Sequence, residues 1–147
     1  MRRFGEPRRN EISYARRPGA YAIIAQGDEL LLTLQDAAEL ELQLPGGGID
    51  PGETSIQALH REVFEETGYR IFGIRRLGAY QRFTYMEEYD LWAHKICHIF
   101  LCSPARKICE PPEPDHTVVW MTARDAEIKL TNSGDRDFLN RWRQFGI

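Results

Sequence analysis

Glu62, Glu65 and Glu66 are spaced i, i+3 and i+4, which on a helix projects three carboxylates from one face into a small volume. Like charges so placed repel by about a few tenths of a kcal/mol per pair, and the C-terminal half of a helix disfavours anions further. Two readings account for the cluster. It is a solvated acidic face partly neutralised by Arg61, four residues before Glu65, or it is the seat of a hard divalent cation that takes oxygen ligands and shares its shell with water and phosphates. Just upstream, Pro45 is followed by Gly46, Gly47 and Gly48, a run that brings bare backbone close to a neighbour and offers amides to an anion or a carbonyl to a metal.

These residues need a strand and a helix to hold them. "LELQLP" alternates Leu40, Leu42 and Leu44 against Glu41 and Gln43, the pattern of a half-buried strand, and Pro45 stops it before the glycines turn the chain. Thr54 followed by Gln57 fits a capping box, and Ile56, Leu59 and Val63 recur at helical spacing until Gly68, which predicts a helix over 55–67. Glu53 precedes the cap, where the helix N-terminus favours a carboxylate. Before this unit, "AYAIIAQGDELLLTLQ" predicts a hairpin over about 20–34. After it, "RIFGIRRLGAYQRFTY" and "LWAHKICHIFLC" read as two long strands joined by an acidic loop, "EPPEPDH" as a proline-rich loop and "TVVWMT" as a short strand. A last helix in "SGDRDFLNRWRQF" places Phe138, Leu139, Trp142 and Phe145 on one face. Strands interrupted by one central and one terminal helix predict a mixed β-sheet with helices packed on its faces, an α/β fold.

The 147 residues suit one domain, and 42% apolar with 28% charged residues is the balance of a soluble protein. No apolar run approaches the roughly 20 residues of a membrane span, and the N-terminus does not read as a secretory signal, so a cytoplasmic location without membrane contact is expected. Cys97, Cys102 and Cys109 are an odd set without CxxC spacing, best read as buried reduced thiols. The net charge of −3 is unevenly spread: residues 1–17 hold six arginines against two acids, leaving 13 basic and 20 acidic residues in 18–147. The chain therefore divides into a basic N-terminal arm, 1–17, and a single domain, 18–147. The arm is either a solvated tail or a counter-charge for a polyanion.

From Gly47, five residues lead to Glu53 and seven more to Arg61-Glu62-Val63-Phe64-Glu65-Glu66-Thr67-Gly68-Tyr69. This run resembles the signature of the Nudix hydrolase (MutT-like) family at every charged and glycine position, departing only at Tyr69, where the family usually has an aliphatic residue. The resemblance implies a Nudix-type α/β/α sandwich over roughly 18–145, and hydrolysis of a nucleoside diphosphate linked to another moiety with help from Mg²⁺ or Mn²⁺. By position it implies that Glu62, Glu65 and Glu66 hold metal together with the Gly46 carbonyl, that Glu62 can serve as base, that Arg61 orients the glutamates, and that Glu53 braces the loop. Members often carry a further acidic group after the box; Glu87, Glu88, Asp90, Glu110, Glu113 and Asp115 are candidates here. Many have a glutamate three residues before a tryptophan like Trp120. This chain has Thr117 there, with His116 or Asp115 as substitutes.

Substrate selection in that family lies outside the box. The Gly47 amide and the side chains of Arg16 and Arg17 are candidates for phosphate contacts, and Tyr80, Phe83 or Tyr85 for stacking on a base, although filling a strand's core is the commoner role for each aromatic. A small-molecule nucleotide (a nucleoside triphosphate, dinucleoside polyphosphate or sugar nucleotide) is the favoured partner. An RNA 5′ end, hinted at only by the arginine arm, and a non-catalytic nucleotide sensor are the alternatives. The arm and residues 79–92 are candidates for a homodimer contact.

Overall fold

A computed structural model describes residues 1–37 and 39–146. Among these residues eight strands form one mixed sheet. β1 (Arg3–Gly5), β6 (Tyr69–Met86), β7 (Leu91–Lys107), β2 (Ala15–Gln26), β3 (Glu29–Gln35) and β4 (Glu41–Gln43) lie side by side in that order. β5 (Gly46–Gly48) adds to β2, and β8 (His116–Thr122) to β3. β2 runs parallel to β7 and antiparallel to β3 and β5. Three helices cover the sheet: α1 (Ser55–Thr67), α2 (Ala123–Lys129) and α3 (Ser133–Phe145).

The two faces carry separate cores. Ala58, Leu59 and Val63 of α1 pack on Ala20, Ala22, Ile24, Phe100 and Cys102. Ala126 of α2 and Phe138 and Leu139 of α3 pack on Ile23, Tyr80, Cys97 and Ile99. Adjacent β2 and β7 residues thus point to opposite helices, as strand alternation requires, and the α/β/α layering predicted from the sequence is present.

Helix α1 occupies the predicted 55–67. Thr54 accepts from Gln57 N at 3.1 Å while the Gln57 side chain accepts from Thr54 N at 2.9 Å, a complete capping box. Gly68 ends the helix at φ 73°, and a Cβ there would overlap the Cys109 carbonyl oxygen. The inward face differs from the expected one by a partial rotation: Ile56 is exposed, and Glu66 is buried beside Leu59 and Val63. Leu42 and Leu44 are buried as the alternation predicts, but Leu40 lies outside β4 and is exposed.

Residues of the arm enter the sheet. Arg3–Gly5 pair parallel with Gln81–Phe83, and β2 begins at Ala15, ahead of the boundary placed at Pro18, because Ala15, Arg16 and Arg17 pair with Ala93, His94 and Lys95. Between these pairings the arm packs on the far end of β6 and β7: Tyr14 meets Phe83 and Trp92 edge-on, and Arg9 lies 5.1 Å from the Trp92 ring. The two segments considered for a dimer contact therefore meet within one chain. Cys97 and Cys102 are buried and Cys109 is exposed, all as free thiols. Among the described residues no helix is long and apolar enough to cross a membrane.

Candidate active site

Arg61 is the hub of the box. Its Nε and Nη2 donate to Glu53 Oε2 and Oε1 at 2.7 and 2.8 Å, a two-pronged grip. Nη1 donates to Glu62 Oε1 at 2.8 Å and more weakly to Glu65 Oε2 at 3.5 Å, and Nη2 also reaches the Gly48 carbonyl at 3.0 Å. Glu53 Oε1 in turn accepts from Asp50 N at 3.0 Å. One guanidinium thus ties the loop after the glycines to two carboxylates of α1. Hydrogen bonds from Arg61 hold the Glu53 carboxyl down at about 2, with the Asp50 N–H adding to the effect.

The glycines approach from β5. Gly46 N donates to Glu66 Oε1 at 3.0 Å. Gly47 lies so close to Glu62 that a Cβ would sit 2.5 Å from its Cδ and Oε2, so any side chain at 47 competes with that carboxylate for space. Burial pushes Glu62 up to about 7; the Arg61 hydrogen bond opposes this, and the charges of Glu66 and Glu65 add to it. Glu66 is raised by burial as well, against the pull of His116 and the Gly46 N–H.

A second wall comes from the proline-rich loop. Glu113 N donates to the Glu65 carbonyl at 3.0 Å, clamping the loop to the end of α1. His116 is 7% exposed; its Nδ1 lies 3.0 Å from both Glu113 Oε2 and Asp115 Oδ1, and its Nε2 lies 3.3 Å from Glu66 Oε2. The Nε2 contact is an ion pair rather than a well-formed hydrogen bond. Glu66 foremost, then Asp115, raise the imidazole to about 9. Ligand atoms of Glu62, Glu65 and Glu113 lie within 4.8 Å of one another, as do those of Glu66, Glu113 and His116. Oxygens across an octahedral Mg²⁺ stand about 4 Å apart, given bonds of about 2.1 Å, so the donor set fits a hard divalent cation.

These groups edge a cleft of about 310 Å³ that runs from the glycines to the N-terminal end of α3. Gly46, Gly47, Glu62, Glu66 and Arg17 line it. Arg16 and Tyr85 do not, because alternation turns them to the other sheet face: Arg16 pairs with His94 there, and Tyr85 packs on Trp92 and hydrogen bonds to Asp90. Tyr80 and Tyr89 reach the cleft instead. Tyr80 is buried at its base, donating to Asp135 Oδ1 at 2.6 Å. Nothing in the sequence near Asp135 marked it for the cleft. Of the acidic candidates after the box, Glu113 joins the cluster, and Asp115 touches it through His116.

The layered mixed sheet with a glycine–glutamate unit facing a cleft is shared with known proteins. The NUDIX domain family model matches residues 15–142; the chain belongs to that family, the Nudix hydrolases. An RNA pyrophosphohydrolase of Baumannia cicadellinicola is 29% identical over 134 residues, covering 91% of this chain and 77% of that one. A Bacillus subtilis (strain 168) protein, named provisionally as an 8-oxo-dGTP diphosphatase, is 35% identical over 78 residues, 53% of this chain and 52% of that protein; the match spans about half of that relative's length. The solved structure of a NUDIX hydrolase from Nitrosomonas europaea superposes with a TM-score of 0.73 over 90% of each chain at 20% identity, a likeness of fold.

Proposed function

We propose that the protein hydrolyses the pyrophosphate linkage of a nucleoside diphosphate joined to another moiety, dependent on a divalent cation. The observation that carries the reading is the convergence of Glu62, Glu65, Glu66 and Glu113 beside a glycine backbone at the edge of a cleft. Glu62, Glu65 and Glu66 would hold the cation, with the Gly46 carbonyl and Glu113 available to complete its shell. When bound, Mg²⁺ or Mn²⁺ neutralises phosphate oxygens and lowers the pKa of a bound water. Arg61 keeps Glu62 and Glu65 aimed, and Glu53 keeps Arg61 aimed. Without the cation Glu62 is raised to about 7 by burial; with it the carboxylate form is favoured, and Glu62 would serve as general base. In the reaction a water oxygen bonds to phosphorus and its proton passes to Glu62. The bridging P–O bond breaks with its electron pair on the departing phosphate oxygen, leaving two phosphomonoesters or phosphoanhydrides. The Gly47 amide and Arg17, which both line the cleft, would contact the substrate's phosphates.

Action on the 5′ polyphosphate of RNA is a second reading, supported by the relative of that name that aligns over 91% of the chain. An intact box argues against a mere nucleotide sensor. The test is a panel of nucleoside triphosphates, dinucleoside polyphosphates, sugar nucleotides and a 5′-triphosphorylated oligonucleotide, with Mg²⁺ and with Mn²⁺, scored by product. Turnover lost in chelator and in Glu66→Gln is expected; failure to cleave any of them would sink the proposal.

A further inference from the structure

The cleft also carries a row of cations. Arg17 of β2 pairs with Lys95 of β7, and Lys95 pairs with Arg82 of β6, so three cations stand in register across three adjacent strands. All three line the cleft, and alternation places them on the sheet face that also carries Tyr80 and Cys97. Neighbouring strands lie about 4.8 Å apart, so the row is about 10 Å wide. Each residue is half-buried, yet among the described residues none forms an ion pair. Arg17 is braced by an aromatic ring, with its guanidinium carbon 4.7 Å from the centre of Tyr89. The nearest buried acid is Asp135, whose Oδ1 already accepts from Tyr80.

Asp135 feels the charges of Arg82 and Lys95, but one carboxylate beyond salt-bridge distance leaves three partly desolvated cations in excess, and such a row is a ready seat for an anion. The pyrophosphate to be cut belongs beside the glutamates and glycines, next to β2, from which the row extends away across β7 and β6, and a nucleobase or ribose carries no charge to satisfy three cations. We propose that Arg17, Lys95 and Arg82 form a subsite for a second phosphate, one carried on the nucleoside side of the substrate beyond the linkage that is cut. This rests on the pyrophosphate chemistry proposed above and names its substrate class: a 5′-polyphosphorylated nucleotide bearing a 3′ phosphate. That phosphate is either terminal or the first phosphodiester of an oligonucleotide.

The test separates this subsite from the catalysis. Binding of guanosine 3′,5′-bisphosphate and guanosine 5′-monophosphate to the full chain is measured by calorimetry with Mg²⁺, where no pyrophosphate bond is present to be cut. The bisphosphate should bind at least 10-fold more tightly. Lys95→Gln and Arg82→Gln should each reduce that ratio several-fold, with Lys95→Arg restoring most of it, and raised salt should weaken the bisphosphate more steeply. Thermal melting identifies the variants that remain folded. In turnover, GTP, its 3′-monophosphate derivative and the 5′-triphosphorylated dinucleotide distinguish the sources. Both phosphate-bearing substrates should exceed GTP in kcat/KM; a gain for the dinucleotide alone would assign the contact to the second nucleoside and overturn the subsite. Equal binding of the two guanosine ligands, or an equal loss for both in folded variants, would overturn it as well. Preferential bisphosphate binding without hydrolysis of any substrate would uphold the subsite and refute the proposed reaction.

Discussion

Glu62→Gln should stabilise the metal-free protein at alkaline pH while abolishing turnover. The carboxyl is pushed up to about 7 from 4.5 because burial and the neighbouring Glu66 and Glu65 disfavour its charge more than the Arg61 hydrogen bonds favour it. Its folded pKa is therefore above its unfolded value, so the stability it contributes is fully present below pH 4.5 and lost as pH rises through 7. At about 1.4 kcal/mol per pH unit the ceiling on that loss is about 3 kcal/mol. Solvent at the rim screens the charge, and a neutral amide accepts a weaker bond from Arg61, so a gain of about 1–2 kcal/mol is expected for Gln at pH 8 and none near pH 4. Urea denaturation in chelator across pH 4–8, wild type against variant, reads this directly. Saturating Mg²⁺ at about 100 times its Kd should add about 2.7 kcal/mol to the wild type and less to the variant. A variant less stable than wild type at pH 8 without metal would refute the reasoning, because the carboxylate would then be serving the fold.

Gly47→Ala places a methyl where the Glu62 carboxylate sits; because that group ends a flexible side chain, the protein should lose only about 1 kcal/mol in urea unfolding but about 100-fold in kcat. Leu59→Ala, at a fully buried core position, should cost about 2–5 kcal/mol in the same assay and leave kcat of the remaining folded protein near wild type. Burial pushes Asp135 up to about 6. The stability it contributes is thus present below about pH 4 and lost as pH rises through 6, and Asp135→Asn should flatten that part of the pH–stability curve.

What was legible in the sequence is what short stretches of chain decide. The helix over 55–67 is written in its own caps, Thr54 with Gln57 at one end and Gly68 at the other, and the box lies within 23 residues. The layered α/β class followed from hydrophobic periodicity. Contacts between distant segments were harder. His116 reaches Glu66 only because β8 pairs with β3 and the loop before it docks on α1. The row of Arg17, Lys95 and Arg82 exists only in the register of three strands. Tyr85 and Arg16 were candidates for the cleft, yet a single step along a strand reverses the face on which a side chain emerges. Pro18 looked like a boundary, but it sits inside β2, where its carbonyl still accepts from Ile49 N at 3.0 Å.

Gly68 is the joint between the two walls of the acidic cluster. Its carbonyl accepts from Ile108 N at 2.8 Å, and its bare α-carbon admits the Cys109 carbonyl where a side chain would stand. Tyr69 pairs with Lys107 at the open end of the β6–β7 hairpin, so the ladder itself delivers the segment carrying Glu113 and His116 to the end of α1. Both walls of the acidic cluster are thus fixed through one glycine that carries no charge, and a side chain at position 68 would separate carboxylates it never touches.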